Sequence, residues 1–438
     1  MSAIALALAL LLGQQAAPAP PPPAASAEAF FDLLVQQDFP AAIAMCNGNM
    51  LKAMPEEKLR QLWAALGAQA GAFKSRTSGT ATPAGNGHAV GIRATFERAQ
   101  LDFTIGIVAG RVSGLFLRPA PQPSAPPPYA NAAAFTERDF TVGSGEWALP
   151  GTLSMPAGAG PFPAVVLVHG SGPNDRDESL GPSKPFRDLA HGLASRGIAV
   201  LRYDKRTKVH GAKLGGVAGF TVAHEAVDDA VLAVEALASM PSIARDRIFV
   251  LGHSLGGMLV PRIAAAAPRA AGFIALAGAA RPLERAMVEQ TEYIAGLDGT
   301  VSSDEQAGID QMRALAARVA ALTAADAAAP GSVGGAPASY WLDLRGYDPP
   351  EAAKAVTRPL LVLQGERDYQ VTMAEFARWK AAVGARPNVT LKSYPALNHM
   401  FMAGTGPGTP LEYSIPGRHV DVAVIDDIAA WIHKQRVP

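Results

Sequence analysis

The stretch "IFVLGHSLGGMLVPRIAA" spans Ile248–Ala265 and joins three kinds of local pattern. Its apolar start is typical of a buried strand, its end is typical of a helix, and small residues lie between the two. Ser254 stands at the junction, with Gly252 two residues before it and Gly256 two residues after it. The pattern predicts a sharp strand-turn-helix that exposes Ser254 as a nucleophile. A second interpretation, a small residue in a tight turn, stays open until a base and an acid are found.

The residue after the serine supplies the first part of an oxyanion hole. A helix N-terminus carries partial positive charge and free N–H groups, which favour negative charge that develops beside it. The backbone N–H of Leu255 would face that charge, so we predict Leu255 as one oxyanion donor.

A serine nucleophile needs a histidine base, which in this strand-turn-helix context follows it in the chain. Three histidines follow Ser254. His433 lies in a terminal amphipathic pattern and His419 lies at its beginning, where capping or solvent contact is expected. His399, in the loop "YPALNHMF" after an apolar strand, is the predicted base, with His419 as the weaker alternative.

The acid that orients the base is expected at the end of a later strand. The apolar run "LLVLQG" is followed by Glu366, Arg367 and Asp368. Asp368 lies in the loop beyond the strand, where its carboxylate can reach an imidazole, so we predict Asp368 as the acid. Glu366 is the rival, although a solvated or salt-bridged role suits it better.

The second oxyanion donor is expected in the loop after an early strand. In "VVLVHGSGPNDRDES" the strand ends at His169 and Gly170, and the next backbone N–H groups are those of Ser171 and Gly172. Ser171 is the predicted donor, since glycines around it let the backbone approach a substrate closely. We interpret His169 as a packed histidine that holds the loop.

Another polar segment ends a strand at the same edge. "YDKR" contains Asp204 and Arg206, which we expect to brace the oxyanion loop through a charge-assisted pair. The "NDRD" segment at 174–177 either lines the site or pairs with itself.

From residue 131 onward, strand and helix patterns alternate. This alternation predicts an α/β fold with a mostly parallel central sheet covered by helices on both faces. This alternation of strands and helices stops between about residues 280 and 347, where two helical stretches are followed by a Gly/Ala/Pro-rich segment. We predict a helical cap there, inserted into the catalytic domain at 131–438.

The N-terminal part of the chain has a different organisation from the catalytic domain. Residues 1–26 combine a short apolar core with a Pro-rich tether, which predicts a secretory signal peptide and a periplasmic or secreted protein, although a basic start is missing. Residues 27–118 carry two helical patterns and then alternating strands, which predict a small α+β domain. The segment "PAPQPSAPPPYA" at 119–130 predicts a linker.

The amino-acid composition argues against several classes of partner and cofactor. The 438 residues hold 38 Lys+Arg and 38 Asp+Glu, a balance that gives no basic footprint for nucleic acid. Cys46 is the single cysteine, so an intramolecular disulfide and a thiolate zinc site are excluded. We expect no cofactor, no metal and no stable membrane insertion after signal removal; the oligomeric state stays open.

Together, "HGSGPNDRDE", "YDKR", "GHSLGG", "WLDLRGYDP", "GERDYQV" and "LNHMF" resemble bacterial serine hydrolases of the α/β-hydrolase superfamily. The closest branch is secreted and carries a domain of unknown function before an esterase-like domain. The resemblance covers most of the chain from Ala130 and, more weakly, 27–118. It implies an α/β-hydrolase fold with Ser254 as nucleophile, Asp368 as acid and His399 as base.

These observations predict a serine hydrolase that cleaves small-molecule carboxylic esters through an acyl-enzyme on Ser254. Because the resembling superfamily also includes acyl thioesterases and relatives of prolyl oligopeptidase, a thioesterase or a serine peptidase is the alternative. A third hypothesis is a non-catalytic binding protein with the same fold. The presence of the serine, the acid and the histidine in the expected chain order argues against it.

Overall fold

The computed structural model describes residues 21–120, 125–214, 217–329 and 331–435. The chain divides into two compact units, at 1–121 and at 122–438. The predicted signal peptide and most of the predicted tether lie outside the described residues.

The smaller unit packs four helices on one four-stranded antiparallel sheet. Along its central strands every second side chain is buried, such as Val90, Ile92, Phe103 and Ile105, and these contact the helical Phe31 in one apolar core. A sheet with one buried face shows this alternation. The elements are helices α1 (Pro23–Val35), α2 (Phe39–Ala44), α3 (Gly48–Ala53) and α4 (Glu56–Ala70), then strands β1 (Phe73–Ala84), β2 (Gly87–Phe96), β3 (Gln100–Val108) and β4 (Arg111–Pro119).

The larger unit is built on an eight-stranded sheet in the order β12-β11-β10-β9-β7-β8-β6-β5. The six strands from β12 to β8 pair in parallel, and the β5–β6 hairpin adds an antiparallel edge. The strands are β5 (Phe135–Val142), β6 (Leu149–Pro156), β7 (Phe162–Val168), β8 (Ala199–Tyr203), β9 (Ile243–His253), β10 (Gly272–Leu276), β11 (Leu360–Gly365) and β12 (Val389–Tyr394).

Both faces of this sheet are covered. Val166 and Val250 face one apolar cluster, while their neighbours Val165 and Leu251 face another. Burial on both faces explains why these strands are continuous apolar runs. The helices are α5 (Pro185–Ala194), α6 (Arg206–Val209), α7 (Gly211–Leu214), α8 (Asp228–Ala238), α9 (Leu255–Met258), α10 (Val260–Ala266), α11 (Leu283–Ala295), α12 (Ser303–Ala321), α13 (Ala338–Leu344), α14 (Pro349–Ala352), α15 (Met373–Val383) and α16 (Val422–Lys434).

The predicted cap region contains α11, α12 and α13, with a short 3₁₀ helix at Ala324–Ala328 between the last two. Ser302 caps α12: its hydroxyl accepts from the Glu305 backbone N–H, and the Glu305 carboxylate accepts from Ser302 in return. This capping box fixes where the long helix begins.

The α/β fold class predicted from the sequence is confirmed. Details at the boundaries differ from the predictions. Helix α1 already begins at Pro23, inside the segment predicted as tether, because proline suits the first turn of a helix. The end of the predicted linker is attached to the larger unit, since the Tyr129 hydroxyl donates to the Val420 carbonyl at 2.7 Å. None of the helices among the described residues is long and apolar enough to span a bilayer; export stays a prediction.

Cys46 gives a test of the smaller unit's core. Cys46 is 3% exposed, and burial raises the pKa of its thiol to about 11. Because the thiolate is the reactive form, we expect Ellman's reagent at pH 8 to label the native protein far more slowly than the protein unfolded in guanidinium. Rapid native labelling of one thiol would show that this core opens readily.

Candidate active site

Ser254 occupies a strained turn between β9 and α9. Its φ of 54° lies in the left-handed region, which is unfavourable for a residue with a side chain. Neighbouring backbones pass so close that a Cβ on Gly252 would lie 2.1 Å from the Gly256 carbonyl oxygen, and one on Gly256 would lie 2.3 Å from the Val168 carbonyl oxygen. Only glycine fits at either position, so the two small residues around the serine are a requirement of the turn.

The expected single helix after this turn is divided. Helix α9 ends at Met258 and α10 begins at Val260, with Pro261 in the first turn of α10. Proline lacks the N–H that would continue the ladder, which explains the division.

Asp368 and His399 form a buried hydrogen-bonded pair. The His399 Nδ1 donates to the Asp368 Oδ2 at 2.6 Å, and neither side chain is more than 3% exposed. The other carboxylate oxygen accepts the backbone N–H groups of Gln370 at 2.8 Å and Val371 at 2.9 Å. Since Nδ1 donates, the His399 Nε2 is the ring nitrogen available to accept a proton.

The rival residues lie elsewhere. Glu366 is exposed and accepts from the Ser393 hydroxyl at 2.8 Å. His419 binds the Asp188 carboxylate at 3.1 Å, and His433 contacts the Arg196 carbonyl. None of the three lines the cavity that contains Ser254 and His399. The structure therefore brings together the three residues that the sequence singles out; their catalytic roles stay predictions.

The loop after β7 lies against the serine. A Cβ on Gly170 would lie 3.1 Å from the Ser254 Cβ. The Gly170 N–H donates to the Glu178 Oε1 at 2.6 Å, so it is not available to a substrate. The N–H groups of Ser171 and Leu255 donate to no acceptor within the described part of the chain, which leaves both free for the predicted oxyanion role.

His169 holds this loop as expected. Its ring is 1% exposed, contacts the Asp175 carbonyl at 3.0 Å and packs on Phe186 and Tyr203. Burial lowers the pKa of His169 to about 4, so the ring is neutral at physiological pH.

A second buried pair, which sequence reasoning missed, lies beside the site. His253 precedes the nucleophile; its Nδ1 lies 2.9 Å from the Glu178 Oε2, and its Nε2 lies 3.0 Å from the His399 carbonyl oxygen. Burial alone would lower the pKa of His253, but the Glu178 carboxylate raises it; the imidazole likewise holds the pKa of Glu178 below its usual range against the opposite effect of burial. The pair links the loop after β7 to the backbone of His399, the predicted base.

The expected brace involves a different arginine. Asp204 accepts from both the backbone and the guanidinium of Arg176, so it anchors the loop directly. Arg206 pairs with Asp229 on α8, and its predicted part in the brace is wrong because its side chain reaches that helix instead. In the "NDRD" segment, Asn174 lines the cavity that contains Ser254, whereas Arg176 and Asp177 pair with residues outside the segment.

Lys205, the residue between Asp204 and Arg206, was also missed by sequence reasoning. It is 2% exposed; its Nζ donates to the Gly170 carbonyl at 2.7 Å and lies 2.7 Å from the Glu225 carboxylate. A buried lysine is unusual, and burial depends on tertiary contacts that local sequence does not reveal.

Two cavities adjoin the oxyanion loop. The first, of about 370 Å³, contains Ser254, His399 and apolar side chains such as Met258 and Met400. The second, of about 790 Å³, lies under α13 and shares three wall residues with the first: Ser171, Leu283 and Met287. In the described ranges no three His, Cys, Asp or Glu side chains are grouped as metal ligands would be.

The mostly parallel sheet and the strained serine at the end of β9 define the class: this is an α/β-hydrolase, a serine hydrolase. A family model described as "Serine aminopeptidase, S33" matches residues 160–405, and the chain belongs to that family. A further model, a protein of unknown function (DUF3887), matches residues 27–108.

Among characterised proteins, Esterase EstD of Thermotoga maritima is 38% identical over 407 residues, covering 92% of this chain and 94% of its own length. Among solved structures, an esterase from Pyrobaculum calidifontis is 17% identical with a TM-score of 0.42, covering 69% of this chain and 87% of that one. A hypothetical protein from Pseudomonas aeruginosa is 17% identical with a TM-score of 0.45, covering 70% and 95%.

The Asp368–His399 pair gives a test with a matched control. We expect Asp368→Asn to lower kcat by about 10⁴-fold, because an amide at this position favours the wrong histidine tautomer. Glu366→Gln, at the exposed rival, is expected to keep wild-type kcat. Steady-state rates on an activated ester measure both, and an equal loss in the two variants would contradict the assignment of the acid.

Proposed function

We propose that this protein is a carboxylic ester hydrolase that works through an acyl-enzyme on Ser254. His399 Nε2 takes the Ser254 Oγ proton as the oxygen bonds to the acyl carbon. The N–H groups of Ser171 and Leu255 stabilise the negative charge on the carbonyl oxygen. The C–O bond to the alcohol then breaks, and the alcohol oxygen receives the proton from His399.

Deacylation repeats these steps with water. His399 removes a proton from a water molecule, whose oxygen bonds to the acyl carbon. The bond to Ser254 breaks, Ser254 regains its proton, and the carboxylic acid leaves. Asp368 keeps the ring in the required tautomer and stabilises the imidazolium.

One observation carries the proposal: a buried imidazole, hydrogen-bonded through Nδ1 to a carboxylate, lines the same cavity as a serine in a strained turn. The relative named an esterase supports esters as the substrate class.

The family description also suggests a peptidase that recognises a free amino terminus. Such a substrate needs an unpaired carboxylate. The carboxylate that lines the first cavity, Glu178, is engaged by the Gly170 N–H and by His253. In the second cavity Glu225 is engaged by Lys205 and by the Tyr340 hydroxyl. Both lining carboxylates are already paired, which favours a neutral substrate.

Ser254→Ala tests the nucleophile. We expect kcat on a short-chain p-nitrophenyl ester to fall by on the order of 10⁶-fold, because the covalent route is removed. A fluorophosphonate probe should label wild-type protein and fail to label the variant. Ser239→Ala, at an exposed helix end, is the matched control.

The substrate class is tested in parallel with an aminoacyl arylamide and an acyl thioester of the same acyl group. We expect a higher kcat/KM for the oxygen ester. Faster arylamide cleavage would instead support the peptidase, and near-wild-type turnover by Ser254→Ala would overturn the acyl-enzyme.

A further inference from the structure

We infer that the second cavity binds the acyl arm of the ester and that this arm is long and apolar; the inference rests on the proposed function. The alcohol oxygen has to receive a proton from His399, so the alcohol arm stays beside that ring. His399 lines the first cavity and not the second. The acyl arm then takes the other way out of the first cavity, into the second across their shared wall of Ser171, Leu283 and Met287.

Ser171 is where the two cavities meet. Beyond it, the second cavity offers about 790 Å³, roughly twice the volume of the first, and this is within the range of small-molecule sites. Apolar and aromatic side chains dominate its walls, among them Leu214, Phe220 and Trp341. Glu225 also lies on this wall, but Lys205 and the Tyr340 hydroxyl engage its carboxylate, so the cavity suits a hydrocarbon chain.

Two isomeric esters test which arm the second cavity takes. Ethyl octanoate places the long chain on the acyl side and octyl acetate places it on the alcohol side. Each buried methylene raises kcat/KM by up to about fourfold, so we expect ethyl octanoate to be preferred by at least about tenfold. Preference for octyl acetate, or none, would overturn the inference.

A cavity-filling variant tests whether the preference for a long acyl chain arises in the second cavity. Ala336→Trp adds bulk to the wall of the second cavity and should lower kcat/KM for ethyl octanoate by about tenfold. The loss on ethyl acetate should be smaller, because its acyl arm is too short to reach that wall. Ala325→Trp, exposed in the neighbouring 3₁₀ helix, is the control. Equal loss on both esters would overturn the inference, whereas no Ser254-dependent hydrolysis of any ester would overturn the proposed function itself.

A separate observation concerns the Gly170–Ser171 peptide. We propose that Lys205 is a positioning residue that orients and polarises this peptide as an oxyanion donor. The peptide is trans, so its C=O and its N–H point in opposite directions. The Lys205 ammonium holds the Gly170 carbonyl at 2.7 Å, which directs the Ser171 N–H away from the lysine.

The lysine is itself fixed. Glu225 lies 2.7 Å from its Nζ, and the Tyr340 hydroxyl donates to the other Glu225 oxygen at 2.6 Å. All three side chains are buried. A cation on the carbonyl draws electron density through the amide, so the N–H becomes a stronger donor when negative charge develops at the substrate.

The test removes both buried charges together, in Lys205→Met with Glu225→Gln, so that no unpaired ion remains. Loss of a whole oxyanion donor costs about 10²–10³-fold in kcat; weakening one should cost about 10–100-fold, with KM changed by less than about twofold. Affinity for a trifluoromethyl ketone, which forms a tetrahedral adduct, should fall by the same factor as kcat.

Rates are expressed per site titrated with a fluorophosphonate, so a lower yield of folded protein does not count as lost catalysis. Lys205→Arg keeps a cationic donor and should recover part of the loss. A merely structural lysine would lower the melting temperature and leave kcat per titrated site and adduct affinity at wild-type values. That result would overturn the positioning role while the ester hydrolase proposal stands.

Discussion

The left-handed backbone of Ser254 is the constraint on which the site depends. Such a conformation costs on the order of 1–3 kcal/mol for a residue with a side chain, and it persists only where the surroundings hold it. Here the Ser254 N–H donates to the Leu276 carbonyl at 2.9 Å, and its carbonyl accepts from Met258 at 2.8 Å. Strand β9 is paired on both sides, by β7 and β10, so the sheet fixes where the turn begins. Ser254 is thereby held in the wall of the cavity that His399 also lines.

Around that turn, buried charged groups fix the geometry of the loop after β7. Removing pairs such as Lys205–Glu225 and His253–Glu178 from water is costly, and their mutual attraction has to offset that cost. These pairs fix atomic positions. The Glu178 carboxylate accepts the N–H of Gly170, and the Lys205 ammonium donates to the carbonyl of the same residue. The glycine between them is thus fixed at both ends, one residue before the proposed donor.

The sequence predicted what depends on local pattern and chain order. Continuous apolar strands, the glycines around Ser254, and the later positions of Asp368 and His399 all follow from periodicity and from the chemistry of a serine nucleophile. What escaped prediction depends on tertiary contact. Lys205 and Glu225 are 20 residues apart in sequence and their burial has no local signal. From the sequence, Arg206 is expected to pair with the loop after β7, but it pairs with Asp229 on helix α8. Glu178 was missed as well, although it is the last residue of the stretch "HGSGPNDRDE" that carries the resemblance.

The position of β12 at the sheet edge has a consequence for biosynthesis. Ser254 and the loop after β7 lie in the first half of the larger unit, whereas His399 follows the last strand. Domains generally fold as units, so the larger unit completes its sheet only when its last strand is available. In the proposed mechanism Ser254 needs the His399 imidazole, and that residue follows β12 in the chain. Hydrolytic competence therefore arrives only with completion of the fold.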